Sequence, residues 1–182
     1  NRLQNWAFQE GIIPKASIMP GGNNYEQRTR VFNDDEMNMI LSKCKPDLYQ
    51  LFVSFAYYTG ARQGEIRNLK SCDIYMDHLE VRGKAGKRII KLNKQAQSII
   101  KHQNVLWDYC RRYVNHTFKK NVRRMGIKNA RFHDIRRTFG YNLISKGMPI
   151  YQVSKLLGHK SVTTTEKHYA PLMVKDIPDF KL

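Results

Sequence analysis

Apolar positions recur at helical spacing through most of the chain. Met37, Ile40, Leu41 and Cys44 lie three and four apart, the repeat of one buried helix face. Asn33 caps that helix, with Glu36 three residues on as in a capping box. Pro46-Asp47 opens a second helix with a buried stripe of Leu48, Leu51, Phe52 and Phe55, and Gly60 ends it. A short helix over 62–69 follows. The period then drops to two. Leu79-Glu80-Val81-Arg82 and the run 88–92 alternate on either side of Gly83-Lys84-Ala85-Gly86-Lys87, which predicts a β-hairpin with Ile90 and Leu92 inward. From Lys94 the helical period returns and predicts helices over 94–103, 105–113, 115–125, 133–146 and 150–157. Gly126, Gly147 and Gly158 stop the last three, and Pro149 suits a first turn. A final helix runs through Thr164 to Tyr169 and meets Pro171. The fold class is α+β, mainly α-helical with a small antiparallel β-sheet.

The first thirty residues differ from the rest. Leu3 to Phe8 reads as the end of a helix, and Gly11 to Arg30, with Pro14, Pro20, Gly21 and Gly22, reads as a linker. Residues 31–182 are then the folded unit. With Asn rather than Met at position 1 and no signal peptide, the chain reads as a piece of something longer.

Composition narrows the function. Among 182 residues, 32 Lys+Arg stand against 15 Asp+Glu, a net charge of +17. A 41% hydrophobic content is enough for a core and excludes wholesale disorder. No apolar run reaches the ~20 residues of a membrane span. Cys44, Cys72 and Cys110 include no Cys-x-x-Cys pair, which argues against a disulfide framework or a cysteine zinc site and suits a reducing cytosol. The charge is clustered: residues 111–137 hold ten Lys/Arg and one acid, Asp134, and residues 82–101 hold seven and none. Such a surplus points to nucleic acid. Phe118, Val122 and Met125 beside Lys119, Lys120, Arg123 and Arg124 are too thin an apolar face for a membrane anchor and read as core.

Several residues could handle a phosphate. Arg62 follows a helix break, and Glu65, one turn on, can orient its guanidinium. His133 and Arg136 share a helix face three residues apart, on a helix whose buried stripe is Ile135, Phe139 and Leu143. His159 stands at the helix end Leu156-Leu157-Gly158. Tyr169 comes ten residues later in Thr164-Thr165-Glu166-Lys167-His168-Tyr169. Singly, each fits an ordinary surface or packing role; their order singles them out. A metal site from His133, His159 and His168 lacks the short spacing of ligand pairs.

With these boxes in order, the chain resembles the tyrosine recombinase (phage integrase) family. The matching stretches are Thr59-Gly60-Ala61-Arg62 through Glu65, the hairpin Gly83 to Arg88, His133-x-x-Arg136, Leu157-Gly158-His159 and Tyr169. Many members place the tyrosine one residue nearer the Gly-His pair; a subset ending Thr-Thr-Glu-Lys-His-Tyr shares the longer spacing. The resemblance implies a catalytic domain over 31–182 with a C-terminal tail, preceded by the tail of a core-binding domain and a linker over 1–30. It implies a site-specific recombinase or integrase of a phage or mobile element, acting in the bacterial cytoplasm. DNA would be cleaved and rejoined through a 3′-phosphotyrosyl intermediate without metal or cofactor. Tyr169 would be the nucleophile and Arg62, Arg136 and His159 the phosphate clamp. His133 would be the base, and Lys84 the general acid with Lys87 as its rival. Lys87, Arg88, Lys119, Lys120, Arg123, Arg124 and Arg137 would meet double-stranded DNA. Four protomers would assemble on two duplexes, whereas the chain alone is expected to be a monomer. A type IB topoisomerase would use nearly the same chemistry, and a non-catalytic DNA-binding module would bind without a covalent adduct.

Overall fold

The computed structural model of the chain describes residues 2–14, 28–83, 86–101 and 106–173. In chain order, the helices and strands among them are α1 (Arg2–Gln9), α2 (Asp34–Lys43), α3 (Asp47–Thr59), α4 (Gln63–Arg67), β1 (His78–Gly83), β2 (Gly86–Lys91), α5 (Lys94–Lys101), α6 (Arg111–Arg124), α7 (His133–Ser145), α8 (Ile150–Leu157) and α9 (Val162–Met173). The mainly helical class with one two-stranded antiparallel sheet is as the sequence predicts.

Local signals explain most boundaries. Asn33 accepts the amide of Glu36, and Glu36 reciprocates at Asn33, so two amides at the start of α2 are satisfied. Gly60 ends α3 at φ 61°. It is needed twice over, because a β-carbon there would come within 2.4 Å of the Phe139 ring. In the hairpin, Val81 pairs with Arg88 and Gly83 with Gly86. The second strand therefore starts earlier than predicted: Gly86 and Lys87 belong to β2, and Lys84-Ala85 lie outside the described residues.

Three expectations are corrected. In α3, Phe52 and Phe55 are buried as expected, but Leu48 and Leu51 are 44% and 39% exposed, and Tyr49, Val53 and Ala56 take their places inside. Residues 106–110 are not helical, and α6 starts at Arg111. There Trp107 turns into the core between Phe52 and Phe55, and its ring nitrogen donates to the Leu48 carbonyl. Finally, α9 runs past Pro171 to Met173.

Two cores share α7. The larger joins α2, α3, the hairpin and α6 through Ile40, Phe52, Phe55, Ile90, Phe118 and Ile135. The smaller packs Val153, Leu157 and Tyr169 against Phe139 and Leu143. Polar ties fix α7 to the segment before α2. Buried Asp134 accepts Arg28, Arg137 and the amide of Arg131, and the Phe32 amide donates to Thr138 Oγ1 at 2.9 Å. α7 thus reaches both cores and carries His133 and Arg136 between them.

Candidate active site

Three arginines from three elements meet the last carbonyls of α8. Arg88, on β2, donates to Leu156 O at 3.1 Å. Arg136, on α7, donates to Leu157 O and to Gly60 O. Arg62, at the start of α4, reaches Gly158 O at 3.5 Å. A helix C-terminus leaves its carbonyls without intrahelical partners and carries partial negative charge. The end of α8 therefore gathers cations that would otherwise repel each other. Gly158, at φ 62°, gives the chain its turn there and leaves room for Arg88, whose Cδ lies 2.5 Å from where a β-carbon would be.

Glu65 joins the first and third of these. It accepts Arg62 Nη1 at 2.9 Å, the Arg62 amide at 2.7 Å, and Arg88 through Nε at 2.9 Å and Nη2 at 2.7 Å. Burial alone would raise its pKa. The bonds and charge of Arg88, then the bonds from Arg62, outweigh that and hold it at about 2. Arg136 is 5% exposed. Burial, then the charges of Arg62 and Arg88, push its pKa down to about 9, which still leaves it cationic at neutral pH.

His159 follows directly on Gly158, with Nδ1 2.8 Å from Thr165 Oγ1 and its ring 6.1 Å from that of His168. Burial, then Arg136 and Arg62, lower its pKa to about 4. Tyr169 is 3% exposed. Its hydroxyl packs on Gly140, one helical turn beyond Arg136. Burial raises its pKa to about 12 against the opposing charges of Arg136 and Arg137. His133 keeps an exposed surface at the start of α7. Desolvation of its inner side, then Arg136 and Arg137, bring its pKa to about 4. It borders a cleft of about 610 Å³ with Gln63, Arg111, Asn115, Lys119 and Arg131.

The structure thus brings Arg62, Glu65, Arg136 and His159 to one place and packs Tyr169, from α9, against α7 beside it. Lys84 lies outside the described residues. Lys87 is exposed and pairs with Arg82 on the outer face of the hairpin, opposite in facing to Arg88. Lys119, Lys120, Arg123 and Arg124 are exposed along α6. Two of the arginines expected on DNA turn inward instead: Arg88 onto Glu65, and Arg137, 9% exposed, onto Asp134. Register could have revealed Arg88, since it lies two residues from inward Ile90. Spacing could have revealed Arg137, three residues after Asp134 on one helix. Thr165 was missed, and only its place four residues before Tyr169 hinted at it.

Comparison with known proteins fits this geometry. Residues 108–175 match the phage integrase family. The chain is 25% identical to a XerC-like tyrosine recombinase of Caldanaerobacter subterraneus subsp. tengcongensis, over 94% of this chain and 60% of that protein. It is 27% identical to the tyrosine recombinase XerD of Listeria monocytogenes, over 81% and 61%. The family match over residues 108–175 and these relatives support a tyrosine recombinase catalytic domain. The chain spans about three-fifths of the length of these curated relatives. The fold likeness is broader than the sequence likeness. A lambda integrase (75–356) dimer bound to a core site is 22% identical with a TM-score of 0.70, over 88% of this chain and 68% of that one. A XerH recombinase in a post-cleavage complex with its palindromic difH substrate is 17% identical with a TM-score of 0.67, over 89% and 57%.

Proposed function

We propose that this recombinase domain cleaves and rejoins double-stranded DNA by metal-independent transesterification, as part of a site-specific recombinase or integrase. The observation that carries the reading is the convergence of Arg62 and Arg136, from distant parts of the chain, at the end of α8 beside His159. Tyr169 packs one helical turn from Arg136. Fixed guanidiniums suit a pentavalent phosphorus, whose non-bridging oxygens gain charge in the transition state.

In this reading the Tyr169 oxygen bonds to phosphorus while the bond to the 5′-oxygen breaks, leaving a 3′-phosphotyrosyl link and a 5′-hydroxyl. The link conserves the phosphodiester's free energy, so the reverse attack by a 5′-hydroxyl rejoins strands without an external energy source. With a pKa held near 12, the phenol is neutral at working pH and must lose its proton during attack. His133, unprotonated at neutral pH, takes it. Lys84 supplies the proton to the leaving oxygen. Arg62 and Arg136 clamp the phosphate with His159, and Glu65 and Arg88 hold Arg62 in place. Attack requires the packing of Tyr169 on Gly140 to open. Lys119, Lys120, Arg123 and Arg124 meet backbone phosphates. The complete protein works in the cytoplasm as four protomers on two duplexes, with residues 1–30 linking this domain to a core-binding domain.

A duplex nicked next to the cleavage point tests the reading, because the released fragment cannot rejoin. Incubated in EDTA with the chain, it should trap a covalent adduct that Tyr169→Phe abolishes while non-covalent binding persists. Binding without any adduct would refute the catalytic reading. Plasmid relaxation without two-site recombination by the complete protein would redirect it to a topoisomerase.

A further inference from the structure

The ring of His159 has one nitrogen already engaged. Nδ1 lies 2.8 Å from Thr165 Oγ1, and Thr165 is fully buried on α9. Four residues separate Thr165 from Tyr169, so both ride on one face of the same helix.

We propose that Thr165 is a positioning residue that donates its hydroxyl proton to His159 Nδ1, locking the ring and leaving Nε2–H as the group that meets the scissile phosphate. Its catalytic consequence rests on the DNA-cleavage reading above; its geometry does not.

The direction of the bond follows from where the Thr165 proton can go. A buried hydroxyl needs an acceptor. Helical threonines commonly use the carbonyl four residues back, as Thr59 does at Phe55 and Thr138 at Asp134. Among the described residues, the only hydrogen-bond partner of the Thr165 side chain is His159 Nδ1. If Nδ1 accepts, a neutral imidazole carries its proton on Nε2. The ring is neutral at pH 7, because burial and then the charges of Arg136 and Arg62 hold its pKa at about 4. Without Thr165, two tautomers and a freely turning ring would compete. Since α9 also bears Tyr169, the orientation of His159 is tied to the seating of the helix that carries the nucleophile.

Two measurements test this. Long-range 1H–15N spectra of the imidazoles in the 15N-labelled chain at pH 7 should show His159 with its proton on Nε2. Thr165→Val should give a mixture of tautomers, and Thr165→Ser should restore one. On the nicked duplex at saturating protein, Thr165→Val should slow adduct formation about tenfold, the loss expected from one hydrogen bond. Duplex affinity should stay within about twofold, and Thr165→Ser should recover most of the rate. An Nδ1–H tautomer in the unaltered chain would overturn the proposal. So would a serine variant as slow as the valine one, or a valine variant with unchanged tautomer and rate. The spectra of the unaltered chain and the serine variant decide the matter even if the valine variant unfolds. A chain with the predicted tautomer but no adduct would sink the cleavage reading and leave the hydrogen bond standing.

Discussion

The hydroxyl of Tyr169 lies where a side chain at position 140 would begin: a β-carbon on Gly140 would stand 2.2 Å from Oη and 2.6 Å from Cζ. Gly140 sits in the body of α7, where glycine costs about 1 kcal/mol relative to alanine. The helix accepts that cost because the tyrosine ring occupies the space.

Gly140→Ala should therefore destabilise the domain despite the better helix former, by about 1–3 kcal/mol from overpacking. Pairing it with Tyr169→Phe, which removes the nearest atom, should recover part of the loss. A double-mutant cycle in urea reads the coupling. A stabilised alanine variant would mean that Tyr169 does not pack there.

Glu65 gives the site an acid limit. Its folded pKa of about 2 lies below the ordinary 4.5. The stabilisation is thus fully present above pH 4.5 and is lost as pH falls toward 2, an effect on the order of 3 kcal/mol. Glu65→Gln should be less stable at neutral pH and lose less on acidification. Unfolding free energies at pH 7, 4.5 and 3 for both proteins check it, and parallel curves would count against the carboxylate.

Much of this is legible in the sequence alone. Glycines at 60 and 158, the Asn33–Glu36 box and the alternation about Gly83–Lys87 act within a few residues, so local chemistry marks them. The inner face of α3 was harder. From Leu48 to Tyr58 nearly every residue is apolar, and a pattern without polar gaps cannot set the helix's rotation. Tyr49 wins the inside because its hydroxyl finds the Val114 carbonyl at 2.7 Å, a partner 65 residues away. The arginine roles were hidden for the same reason. Charge counts show how many cations there are; only tertiary contact shows that Arg88 has Glu65 and the end of α8 to bind.

Asp134 joins the segment before α2 to the helix of His133 and Arg136. It is fully buried, with Arg28 at 2.6 Å and Arg137 at 2.7 Å. Asp134→Ala would leave Arg137 buried without its counter-charge, a situation that typically costs 3–5 kcal/mol. Thermal unfolding should show a large drop. Arg28→Ala, whose partner keeps Arg137, should cost clearly less. Equal losses would show that the carboxylate depends on Arg28 alone.

Outward and inward cations should behave differently toward DNA. Lys119, Lys120, Arg123 and Arg124 are exposed on α6 and free to replace condensed counterions on a duplex. Each alanine substitution that removes a phosphate contact should flatten the plot of log affinity against log salt by about 0.9, with little change in stability. Arg88 and Arg137 are bound to buried carboxylates. Removing either should lower the unfolding free energy and leave the salt slope within error, because each guanidinium is already held by a buried carboxylate. Binding isotherms at four salt concentrations, run beside urea melts for each variant, separate the two groups. A slope change for Arg88→Ala as large as that for Lys120→Ala would mean that the hairpin releases Glu65 on DNA and that Arg88 meets the backbone.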